Sequence, residues 1–125
     1  MNVKSASRLA PFTLAALMIG ASTTLIAHTK LAKSEPAAGA TLTTPPTQIQ
    51  LWFNESVDPS VSKIELKSGS GPVALAPAQA TGGKSLTAGI KGAVGSGTYT
   101  VGWQTAGDDG HVVKGEFSFT VKTSR

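Results

Sequence analysis

The 125-residue chain contains no cysteine. Disulfides and thiolate metal sites are therefore excluded. Methionine is nearly as scarce: Met1 and Met18 are the two present, and both fall within the first 27 residues. Beyond that point the chain has no sulfur ligand, so soft-metal chemistry through sulfur is excluded there. No apolar run is long enough to span a membrane securely, since a spanning helix needs roughly 20 apolar residues. The run Leu9–Gly20 falls short of that. No twelve-residue stretch carries a convincing amphipathic-helix pattern, and no internal repeat is present.

Residues 1–27 have the character of a cleaved secretory signal. Lys4 and Arg8 give a basic start, "LAPFTLAALMIG" an apolar centre, and "ASTTLIA" a small-residue end at Ala27. Cleavage there leaves an exported domain of residues 28–125 that opens on His28. Leu25, at the minus-three position, is larger than such sites prefer. Cleavage after Ala21 is the alternative, and it would leave His28 inside the chain; an uncleaved anchor is the other.

The charge is modest. The leader holds two of the eleven basic residues and none of the seven acidic ones, which leaves nine against seven, or +2, in residues 28–125. That gives no case for nucleic-acid binding. The remaining length suits one domain.

What the chain does have is alternation. "QIQLWFN" (48–54) puts Ile49, Leu51 and Phe53 on one face and leaves Trp52 on the other, partly exposed. "TYTVGWQTA" (98–106) aligns Tyr99, Val101 and Trp103 as core, and "GEFSFTVK" (115–122) aligns Phe117, Phe119 and Val121. "VSKIELKS" (61–68) and short apolar segments around Leu31, Val73–Leu75 and Leu86–Ile90 complete the set. Turn signals such as "SGSGP", "TGGK", "GAVGSG" and "GDDG" separate them. The Gly-rich pieces lack the Lys-Ser/Thr and helix context of a phosphate loop. About seven short strands predict an all-β, antiparallel Greek-key sandwich or barrel.

The domain has two histidines, His28 and His111. In "GDDGHVVKG", Asp109 and His111 are two apart, and an extended backbone would point both to one side. Alone, Asp-x-His is weak, because it is common in surface loops. A terminal His28 adds an imidazole and an α-amine, whose reference pKa of about 7.7–8.0 lets a metal displace its proton near neutral pH. Three nitrogens and one oxygen suit tetragonal Cu(II), and the Irving–Williams order favours copper; zinc accepts the same donors tetrahedrally. The plainer reading is a solvated terminus and a turn histidine.

These segments together resemble the CopC-type periplasmic copper-resistance proteins. His28, Leu31 and "SEPAAG" (34–39) match the family's opening. Pro46, Ile49, Leu51, Phe53 and Glu55 match its next strand. Tyr99, Val101, Trp103, "DGH" (109–111), Gly115, Phe117 and Phe119 match its close. The resemblance spans residues 28–121. It implies a cupredoxin-like or immunoglobulin-like β fold and a monomer that binds Cu(II) without catalysis, with His28, Asp109 and His111 as ligands and Glu55 as an outer-shell or occasional ligand; the plainer reading of Glu55 is a solvated charge at a strand end. It also implies a CopD-type membrane copper transporter as partner, in a role of resistance, buffering or delivery. Two features depart from the family: no Met-rich segment follows the leader, and Val112 stands where many members have proline. Two other functions compete. The first is a histidine-brace copper monooxygenase, for which six aromatics after residue 27 offer little grip on a polymer. The second is a metal-free adhesion or assembly sandwich.

Overall fold

In β3 (Gln48–Phe53) every second residue is inward: Ile49, Leu51 and Phe53 are buried, while Gln50 and Trp52 are half-buried. This is the period-two pattern of a strand with one face on a core. In the computed structural model, which describes residues 29–124, the same rule builds two sheets. The first has the order β1 (Leu31–Glu35), β3, β7 (Ser85–Gly89), β6 (Gln79–Ala80). The second has the order β2 (Thr41–Leu42), β9 (Val112–Val121), β8 (Gly97–Ala106), β4 (Lys63–Ser68), β5 (Gly71–Val73). All pairings are antiparallel except β2 with β9, which is parallel.

The inner faces meet in one core, with the first sheet giving Ile49, Leu51, Phe53 and Leu86 and the second Leu66, Tyr99, Val101, Phe119 and Val121. This is the all-β sandwich expected. Tyr99 stacks on Phe119 with ring centroids 5.5 Å apart, and Phe53 meets Trp103 edge-on at 5.2 Å across the sheets. Such aromatic pairs contribute about 0.5–1.5 kcal/mol beyond their burial. Trp103 is only half-buried; it packs against the core from one side. Trp52 is half-buried on the outer face, with Lys33 Nζ 4.8 Å above its ring.

The number of strands and two strand starts differ from expectation. Nine strands form among the described residues instead of about seven, the additions being the two-residue β2 and β6. β4 begins at Lys63, not Val61, because Asp58 caps a short 3-10 turn over Pro59–Val61. β9 begins at Val112, three residues before Gly115, because it pairs with β8 as far as Ala106. That long β8–β9 ribbon projects the turn 107–111 beyond the end of β3.

Candidate metal site

Three pieces of chain meet at this end of the sandwich. The first is the entry to β1. Lys30 is held twice by Asn54: its N–H donates to Asn54 Oδ1 (2.8 Å) and its carbonyl accepts from Asn54 N–H (3.0 Å). One residue earlier, Thr29 is buried, 4% exposed, and its hydroxyl donates to Glu55 Oε1 at 2.5 Å. The second piece is therefore the segment after β3, Asn54–Asp58. It is tied to β8 where Asp58 N–H donates to the Ala106 carbonyl (2.9 Å). The third is the β8–β9 turn with Asp109 and His111.

The extended geometry expected for that turn is not found. Gly110 N–H donates to the Gly107 carbonyl (3.0 Å), and Gly110 takes φ +75°, a left-handed conformation that favours glycine. Asp109 and His111 are brought together by the turn, not by strand alternation. The His111 backbone N–H donates to Asp109 Oδ1 (3.0 Å), and His111 Nδ1 lies 3.1 Å from Asp109 Oδ2. The Asp-x-His spacing thus closes on itself: backbone and ring both bond one carboxylate.

This contact suits the pair to one kind of chemistry. With Nδ1 donating to the carboxylate, a neutral imidazole carries its lone pair on Nε2. The His111 side chain is 64% exposed and that of Asp109 34%, so a metal can reach them. A carboxylate that bonds one ring nitrogen orients the ring and raises the basicity of the other, a usual arrangement behind metal-bound histidine.

His28 lies outside the described residues, as does the leader, so two of the three expected ligands are placed. The structure brings Asp109 and His111 together. Glu55 is bonded to Thr29, on the side of the turn that holds Gly107. Among the described residues no group of three or more acidic, His or Cys side chains is poised to hold a metal. Thr29 and Gly107, which meet Glu55 here, are not singled out in the sequence, because their letters carry no ligand chemistry; the one cue is that Thr29 follows His28 and Gly107 lies two residues before Asp109.

The fold is a small β-sandwich that carries an Asp109–His111 pair on one end turn. The CopC domain family matches residues 31–122, and the chain belongs to that family. It is 38% identical over 110 residues to copper resistance protein C of Xanthomonas campestris pv. juglandis, covering 82% of this chain and 86% of that one. It is 34% identical to protein YobA of Escherichia coli K12 over 102 residues, 77% and 80% of the two chains. The crystal structure of CopC from Methylosinus trichosporium OB3b superposes with a TM-score of 0.72 at 27% identity, covering 78% of this chain and 97% of that one. That of PcoC, a methionine-rich copper resistance protein of Escherichia coli, superposes at 0.69 with 32% identity, covering 77% and all of that chain. Unlike a methionine-rich relative, this chain has no methionine after Met18.

Proposed function

We propose that the protein is a periplasmic Cu(II)-binding protein that buffers copper or hands it to a CopD-type membrane transporter. In this reading the signal is cut after Ala27 and the ion is held by the His28 amine and imidazole, by His111 Nε2, and by Asp109. Asp109 has two roles open to it, since a carboxylate offers about four lone-pair sites. It orients His111 through Oδ2 and can also bond the metal.

One observation carries the reading. Thr29, the residue bonded directly to His28, is buried and hydrogen-bonded to Glu55 beside the turn that bears the Asp109–His111 pair. Adjacent Cα atoms are about 3.8 Å apart. A terminus at His28 therefore starts within reach of that turn. Family membership, and relatives named for copper resistance, support copper over zinc. All donors are nitrogen or oxygen, which suits Cu(II) and offers nothing soft to Cu(I).

Binding here is reversible chelation without turnover. A polymer-acting enzyme needs a gripping surface, and the aromatics are spent elsewhere. Phe53, Tyr99 and Phe119 are buried, Trp103 and Phe117 pack on the core, and Trp52 lies under Lys33.

The test is the intact mass of the secreted protein, followed by Cu(II) titration with electron paramagnetic resonance. A chain that begins at His28 and binds one Cu(II) with nitrogen-rich coupling is expected. Acetylating the α-amine should weaken binding strongly, and acid should weaken it as protons compete for the donors. A mature mass that starts elsewhere, or unchanged affinity after acetylation, overturns the chelate.

A further inference from the structure

We propose that Thr29, Glu55 and Gly107 form a latch that fixes the N-terminal segment against the β8–β9 turn, making Thr29 and Gly107 positioning residues for the copper site. The proposal rests on the reading above, and it gives Glu55 a task different from ligation.

The geometry is a three-way contact between elements distant in sequence. The Thr29 hydroxyl bonds Glu55 Oε1, 26 residues away. A Cβ built on Gly107 would fall 1.8 Å from Glu55 Oε1 and 2.1 Å from Thr29 Oγ1. The space a side chain at 107 would fill is therefore occupied by the hydrogen-bonded pair itself. Any larger residue must expel one partner. Gly107 has no positive φ, so room, not backbone freedom, explains the glycine.

The consequence follows from chain entropy. The first residues of a domain are poorly ordered unless tied down. A chelate through a terminal amine needs that end ordered, and the ordering counts against binding if the metal must impose it. Here Asn54 pins Lys30 through two hydrogen bonds, one accepted by its side chain and one donated by its backbone N–H, and Glu55 pins Thr29 through its side chain. The cost is met during folding. Asp109 is two residues beyond Gly107, so the latch sets the spacing between the terminus and the other ligands. Glu55 acts through Thr29, with Oε1 committed to the hydroxyl.

The test uses the secreted protein recovered after expression of the full chain. In the metal-free protein, 15N relaxation should give the Thr29 and Lys30 amides the order of strand residues. Thr29→Val keeps the shape and removes the donor; it should raise mobility at both amides. It should also weaken Cu(II) binding about tenfold, the scale of one lost hydrogen bond to a charged group, with the copper resonance spectrum unchanged because the ligands are the same. Thr29→Ser should restore both readouts. Gly107→Ala should behave like Thr29→Val. Glu55→Gln should cost little when added to Thr29→Val, because the two act as one unit.

Mobile Thr29 and Lys30 amides in the unaltered protein would overturn the latch, as would a Thr29→Val variant equal to it in order and affinity. A full further loss on adding Glu55→Gln would show that Glu55 does not act through Thr29. An unaltered protein that is ordered at Thr29 yet binds no Cu(II) overturns the copper reading and the positioning role with it, while the relaxation data still decide the latch.

Discussion

The indole of Trp103 lies over Gly115 on the neighbouring strand, where a Cβ on Gly115 would sit 2.4 Å from the ring atom Cζ2. The two residues are direct cross-strand partners in the β8–β9 ribbon. Trp103 in turn meets Phe53 edge-on across the sandwich. Gly115 is thus what lets the tryptophan lie flat on its own sheet and still reach the other one.

Gly115→Ala should therefore force Trp103 out of place. Overpacking of this kind costs typically 1–3 kcal/mol. Urea unfolding should register that loss, and near-ultraviolet circular dichroism should change with the Phe53 contact. Full stability with an unchanged aromatic spectrum would mean the indole has room that the structure denies it.

The legible part of this fold was the part written in period two. Ile49, Leu51, Phe53, Tyr99, Val101, Phe119 and Val121 alternate with less buried neighbours, and all are buried. The strands β2 and β6 are two residues each and carry no period to detect. Their existence depends on partners: β2 on the end of β9, β6 on β7. At the site, Asp109 and His111 could be paired from spacing, but the reason was a turn with Gly110 at positive φ, not an extended strand. The Thr29–Glu55–Gly107 contact joins residues that only tertiary structure brings together, and none of its local patterns announces it.

Leu51 is fully buried in the core cluster. That cluster is drawn from both sheets, so closing the cavity left by Leu51→Ala would require the sheets to shift against each other. The expected loss is about 2–5 kcal/mol, read from the urea midpoint at unchanged slope. A loss below about 1 kcal/mol would place Leu51 outside a well-packed core.

Asp58 gives a pH dependence with a definite sign. Hydrogen bonds from the Ser60 hydroxyl, and then from the Ser60 backbone N–H, hold its carboxyl below the usual carboxylate range. The unfolded chain, with an ordinary value of about 3.9, then binds this proton more readily than the folded one. The contribution is fully present above the unfolded value and is lost as pH falls through the lowered folded value. Asp58→Asn keeps an acceptor for the cap and removes the titration. It should flatten the decline in stability on the acid side of pH 4 and leave the pH 7 to 6 difference unchanged. An identical acid limb in the variant would remove Asp58 from the account.

Asp109 and His111 can be separated by substitution because they contribute differently. His111→Ala removes a nitrogen donor outright. Asp109→Asn keeps an oxygen near His111 but removes the charge that orients the ring at 3.1 Å. Loss of such an orienting group typically costs 10–100-fold in metal affinity. The variant should therefore bind Cu(II) about that much more weakly, measured by competition with a chelator of known affinity. Its resonance spectrum should report whether the oxygen was also a ligand. If Asp109 only orients the ring, the coupling pattern stays and affinity falls; if it also bonds copper, both change. The fold should not notice either substitution, since Asp109 and His111 stand on a turn outside the core cluster. Unfolding midpoints equal to those of the unaltered, metal-free protein are expected. An Asp109→Asn protein with undiminished copper affinity would take the carboxylate out of the site.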